Sequence, residues 1–336
     1  MENLYNKFIR ALQDTSGITN NSYLTFLKDA VEKVSNASQS DQVLTEYNQS
    51  LLAVVTENNF ALDPEKTNEF SQILGEAHFY LLCKNKGVSL TRIKEGVTKT
   101  PDFKFEQYNM YFEVKTLSVV SGHLGIKESL EDSMDAQIEI ERQLKQGNRI
   151  ATGVSVTQPY GKKPYQKGKG TVTAVIETLI EKIKQNIKLG QFQDGKTFLV
   201  INLSIIPPFR TKNYVLRPAY HDDYMFSKAV SGELWMMAFG REGAPILGIP
   251  EFEGKPGVES TMTKLGILSN PEYEDIAGIL LMIHPWNEDS SVWGLYTYDK
   301  FISWVDNEPD IAKTLSSITG NNWNDDRDTN GWQLNG

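Results

Sequence analysis

The chain has 336 residues, with 34 Lys plus Arg against 43 Asp plus Glu for a formal charge of −9, and 40% hydrophobic, 10% aromatic and 23% charged residues. Those figures describe a globular chain of two domains, or of one domain with large additions, and they exclude collagen, coiled coil and wholesale disorder. No run approaches the roughly 20 consecutive apolar residues of a bilayer span, and MENLYNKFIR at the start lacks a basic segment leading into an apolar one, so a cytoplasmic protein with no membrane partner is expected.

Residues 1–60 carry three helical patterns: Leu4, Phe8, Leu12; then Tyr23, Phe26, Leu27, Ala30, Val31, Val34; then Val43, Leu44, Tyr47, Leu51, Val54, Val55. Asp63-Pro64 reads as an N-cap followed by proline at the first helical position, and the pattern runs to Asn85-Lys86-Gly87, where glycine caps the end. This fourth helix holds Cys83, in YLLCK, which reads as a small buried hydrophobe; one Cys and four His leave little for a zinc site of soft ligands. A metal here would be held by oxygen.

Past Gly87 the period changes. Residues 100–105 and 110–117 are β-rich runs separated by Glu106-Gln107-Tyr108-Asn109, the pattern of a hairpin. Leu130, Met134, Ile138 and Leu144 then predict an amphipathic helix, and Val172 to Ile187 predict another. Residues 197–203 form an apolar run suited to a sheet centre, and strand, helix, strand implies a right-handed parallel crossover. Beyond Pro207-Pro208, residues 279–283 and 292–298 predict strands, while 233–239 fit a short helix or a strand. His221-Asp222-Asp223 fits a turn better than a metal site. The tail from Gly320 is rich in Asn, Asp and Gly, which predicts disorder.

Side chains alternate along a strand, so Tyr111, Glu113, Lys115 and Leu117 share one face and Phe112, Val114 and Thr116 the other. A carboxylate and an ammonium thus project together between apolar runs, an arrangement that is costly without partners. The hairpin brings Asp102 beside Glu113, and two close carboxylates repel unless a cation lies between them; hard oxygen ligands with water suit Mg²⁺ or Mn²⁺. Glu76 lies on or beside the apolar stripe of its helix, where an acid needs a reason.

Glu76 on a helix, Pro101-Asp102, and Glu113-Val114-Lys115 eleven residues beyond Asp102, followed by helix and strand, resemble the PD-(D/E)xK nuclease superfamily over residues 68–205. The resemblance implies an α/β fold with a restriction-endonuclease-like core, a mixed central sheet flanked by helices. The division it suggests is an N-terminal helical module over 1–62, the core over 63–206, a C-terminal α+β extension over 207–319 and a disordered tail over 320–336. It implies Asp102 and Glu113 as metal ligands helped by the Val114 carbonyl, Glu76 completing or supporting the shell, and Lys115 orienting or activating the attacking water. The segment from Ser118 to Lys169 departs from the pattern by setting an acidic helix and a loop before the crossover helix.

Residues 141–190 hold ten Lys or Arg against three acids. Within that window, Lys162, Lys163, Lys167 and Lys169 alternate with Tyr and Gly, which suits phosphate contact and base stacking. The reading that follows is a Mg²⁺- or Mn²⁺-dependent nuclease acting on DNA, as a homodimer or with a partner protein. The alternative is an inactive relative of the same fold that binds nucleic acid or serves as a scaffold.

Overall fold

Leu4, Phe8 and Leu12 share one side of α1 (Leu4–Asp14) and are buried, as are Ala30, Val31 and Val34 of α2 (Lys28–Ala37). In α3 (Gln42–Thr56) the buried residues include Leu44, Tyr47, Leu51, Val54 and Val55, so each apolar stripe is the face its helix turns inward. Asp41 starts α3 by accepting the Leu44 N–H at 2.9 Å. Asp63 likewise accepts the N–H groups of Glu65 and Lys66, at 2.9 and 3.3 Å, and opens α4 (Pro64–Asn85). This helix stops at Gly87, whose φ of +78° turns the chain so that Gly87 N–H donates to the Lys84 carbonyl and Val88 N–H to that of Cys83. Cys83 is fully buried, and burial pushes its thiol well above the ordinary value.

The computed structural model describes residues 3–14, 24–25, 27–57, 60–94, 100–117, 126–148, 150–153, 171–193, 195–204, 219–223, 226–230, 232–247, 258–283 and 290–327. Residues 1–81, 116–162 and 204–207 form one compact unit, and 82–115, 163–203 and 208–336 a second. The helical module therefore runs past the expected boundary at residue 62, into α4. Its core includes Phe8, Phe60 and Phe70, with Phe70 stacked on Phe8 at 5.3 Å and tilted against Phe60 at 5.0 Å. α5 (Ile126–Lys145) belongs to this unit, and the Gln143 amide both donates to and accepts from the backbone of Thr152, at 3.1 and 3.0 Å. Of the expected stripe of α5, Ile138 and Leu144 are 61% and 52% exposed, and the side chains of Leu130 and Met134 lie outside the described residues. Helical spacing aligns residues on a face without stating what covers it.

The second unit is built on a mixed α/β plan. Its strands β1 (Thr91–Arg92), β2 (Phe103–Phe105), β3 (Met110–Thr116), β4 (Lys196–Asn202), β9 (Ile276–Ile283), β10 (Ser291–Tyr296) and β11 (Trp323–Asp325) lie side by side in that order in one seven-stranded sheet. β1–β2, β2–β3 and β9–β10 are antiparallel, whereas β4–β9 and β10–β11 are parallel. β9 is buried along its whole length and β4 from Thr197 onward, as near-continuous apolar runs at a sheet centre should be. Two hairpins stand outside this sheet, β5 (Ala219–Asp223) with β6 (Phe226–Val230) and β7 (Pro245–Leu247) with β8 (Val258–Thr261). The helices of the unit are α6 (Thr171–Asn186), α7 (Glu233–Phe239), α8 (Tyr298–Asn307) and α9 (Pro309–Thr319). Among the described residues no helix is long and apolar enough to cross a membrane.

One side of the sheet is an aromatic core. Phe198 stacks on Phe112 at 5.7 Å and meets Trp304 of α8 at 5.6 Å, while Tyr296 lies parallel to Phe301 at 5.8 Å. The Tyr296 ring covers Gly278 and Gly294, where any Cβ would run into it.

β9, β10 and β11, from the expected C-terminal extension, are strands of the same seven-stranded sheet as β2 and β3. Two expectations need correction. Order does not end at Gly320, which caps α9 with φ +60° and leads into β11; residues 328–336 lie outside the described residues. His221-Asp222-Asp223 is strand, not turn, with His221 opposite Lys228.

Candidate functional site

The β2–β3 hairpin pairs Phe103 with Phe112, Lys104 with Tyr111 and Phe105 with Met110. A 3-10 turn over Glu106–Tyr108 joins the strands and ends at Asn109, whose φ of 51° is a left-handed conformation that Asn tolerates better than most residues. The Lys104 Nζ lies 5.6 Å from the Tyr111 ring centroid, as cross-strand partners on one face should. Asp102 lies one residue outside this register, where the regular pairing ends. Glu113 and Lys115, alternating with Phe112 along β3, project from the side opposite the Phe112–Phe198 stack.

Asp102 is pinned three ways. Its N–H donates to the Phe112 carbonyl at 3.1 Å, its carbonyl accepts from Ile93 N–H at 2.8 Å, and its Oδ2 accepts the Val114 N–H at 2.7 Å. Sequence neighbours in the hairpin thus fix the carboxylate against the residue whose carbonyl was the expected third ligand.

Glu113 is fully buried. Its Oε1 accepts from Gln191 Nε2 at 2.6 Å and pairs with the Lys115 ammonium, while its Oε2 is buried without a hydrogen-bond partner. Burial pushes this carboxyl above its ordinary value; the Lys115 charge and hydrogen bond, the Gln191 amide and the Lys188 charge pull the other way, and burial prevails. Lys115 is only partly exposed, which keeps its ammonium beside the carboxylate face.

Gln191 is the residue that sequence reasoning missed. It lies in the 3-10 turn Leu189–Phe192, just before β4, and its Nε2 also points at the Thr100 carbonyl, 3.4 Å away. Phe192 beside it is buried and anchors the turn. No local pattern distinguishes such a glutamine; only the adjacency of β4 and β3 brings it to Glu113.

Asp102, Glu113, Val114 and Lys115 come together in this hairpin. Glu76 belongs to the first unit, on α4, where its Oε2 accepts the Tyr47 hydroxyl at 2.8 Å. Lys162, Lys163, Lys167 and Lys169 lie outside the described residues. Elsewhere in the basic window, Arg142 makes a two-pronged pair with Glu139, both contacts at 2.8 Å, and burial holds the Lys182 ammonium below its ordinary value.

Among the described residues no group of three or more His, Cys, Asp or Glu is placed to hold a metal ion. What the hairpin offers is two carboxylates and a backbone carbonyl, one of the carboxylate oxygens being buried and unpartnered. That donor set fits a hard divalent ion that keeps part of its water shell, as Mg²⁺ does. Comparison with protein-family models, curated proteins and solved structures yields no match.

Proposed function

We propose that the chain is a divalent-metal-dependent nuclease that hydrolyses phosphodiester bonds in DNA, an endonuclease of restriction or defence type on a restriction-endonuclease-like core. One observation carries this reading: a buried carboxylate oxygen, Glu113 Oε2, has no partner while an ammonium, Lys115, pairs with its other oxygen and a second acid, Asp102, is fixed on the N–H of the adjoining Val114. Burying a carboxylate without filling its acceptors is unfavourable, and a cation is the partner that the chemistry of the site would supply. Asp102, Glu113 and the Val114 carbonyl would hold Mg²⁺ or Mn²⁺, which polarises a phosphate and lowers the pKa of bound water. Lys115 stabilises negative charge developing on the phosphate oxygens or orients the water that attacks. The Val114 N–H keeps the Asp102 carboxylate in place, so that its other oxygen keeps a fixed direction.

A second reading, a nucleic-acid-binding or scaffolding subunit with an inactive site, draws on the same contacts. Glu113 Oε1 is already occupied by Lys115 and Gln191, and the described residues supply no third acid to the group. Incubating the protein with supercoiled plasmid, linear duplex, single-stranded DNA and RNA, each in Mg²⁺, Mn²⁺ or EDTA, decides between them. The nuclease reading expects metal-dependent cleavage that Asp102→Ala, Glu113→Ala and Lys115→Ala each abolish. No cleavage of any substrate by the wild type favours the scaffold, and equal activity of wild type and Glu113→Ala would remove Glu113 from the site.

A further inference from the structure

We infer that Gln191 is a positioning residue of this centre: its amide holds the Glu113 carboxylate in the orientation that leaves Oε2 open to a divalent cation. The inference rests on the metal-centre reading above. Two donors, Gln191 Nε2 and Lys115 Nζ, converge on a single oxygen of Glu113, and the other oxygen is left with none. A carboxylate free to turn about its last bond would share its donors between both oxygens. Here the donors select one face.

The two donors differ in permanence. Lys115 is a charged, partly exposed group on a flexible stem, able to turn to a phosphate; Gln191 is neutral, buried and carried on a turn that Phe192 fixes in the core. Only Gln191 is built to stay.

The bond of this amide to Glu113 is itself stabilising, but it is made by a polar group that is costly to bury. Its own Oε1 is buried without a hydrogen-bond partner, so Gln191 is well satisfied only toward Glu113 and, at 3.4 Å, more loosely toward Thr100. An apolar side chain of similar volume would remove an unpaired buried acceptor. Partners that orient a ligating group from behind usually cost about 10–100-fold in metal affinity when removed.

The test is calorimetric titration of the full chain with Mn²⁺, well below its melting temperature, for wild type and Gln191→Leu, with Gln191→Met as an unbranched replacement should Leu not fit. The expected result is a Kd for Mn²⁺ raised about 10–100-fold in the folded variants. A brace joining the turn to the hairpin would lower the melting temperature in EDTA and leave that Kd alone. A variant Kd within twofold of a measurable wild-type Kd overturns the inference and spares the metal centre. A wild type that binds no Mn²⁺ overturns the metal-centre reading, and the role of Gln191 with it.

Discussion

Glu113 holds a buried charge with one unpaired oxygen, so Glu113→Gln removes the charge at nearly constant shape. Burial disfavours that charge more than Lys115 and Gln191 favour it, so the neutral variant is expected to melt in EDTA no lower than the wild type. Mn²⁺ should raise the wild-type melting temperature by mass action, by about 2.7 kcal/mol of stability at one hundred times Kd, and should leave Glu113→Gln unmoved. A thermal-shift series with and without Mn²⁺ checks both; an undiminished shift in the variant would place the metal elsewhere. Glu139 makes a pH test at the same scale. Its hydrogen bonds from Arg142 and Gln143 pull its carboxyl from 4.5 down to about 2. A depressed carboxyl pKa means the interaction is present above the ordinary value and is lost as pH falls toward 2. Carboxyl-carbon NMR should find the Glu139 midpoint near 2, moving up in Arg142→Gln.

At the scale of elements, the parts written in local chemistry were legible. Asp63-Pro64 and Gly87 mark both ends of α4, and the two β-rich runs around Asn109 make the hairpin that carries Asp102 and Glu113. Gly87→Ala tests the first of these. No atom lies within 4 Å of the added Cβ, so the penalty is that of forcing an L-residue into the left-handed region, about 1–2 kcal/mol. A lower melting temperature with an unchanged response to Mn²⁺ is expected; no change at all would show that this cap contributes nothing. What stayed hidden depended on distant partners. β11 has three residues, too few to show a period, and exists through pairing with β10. The stripe of α5 was readable, but the exposure of Ile138 and Leu144 was not, because burial is decided by elements remote in sequence.

The whole molecule sets the limit on what could be read of the site. Asp102 and Glu113 are joined by one hairpin, whereas Gln191 lies 78 residues beyond Glu113 and meets it because β4 is the neighbour of β3. Charge is also a property of the whole chain, and here it is uneven: residues 141–190 carry ten basic and three acidic side chains in a protein of net −9. Nucleic acid should therefore be gripped by that window. Each Lys that neutralises a phosphate releases condensed counterion, so log affinity falls with log salt by about 0.9 per contact on duplex DNA. Replacing Lys162, Lys163, Lys167 and Lys169 together by Gln is expected to weaken binding and make that slope shallower by about three units if all four reach phosphates. Mn²⁺ binding should be unaffected, since none of the four is a proposed ligand. Fluorescence anisotropy across a salt series reads the slope. An unchanged slope would clear these four lysines of the role. Arg142 is already paired with Glu139, and exposed Lys188 lies where its charge reaches Glu113, so phosphate contact would then be sought first at Lys188.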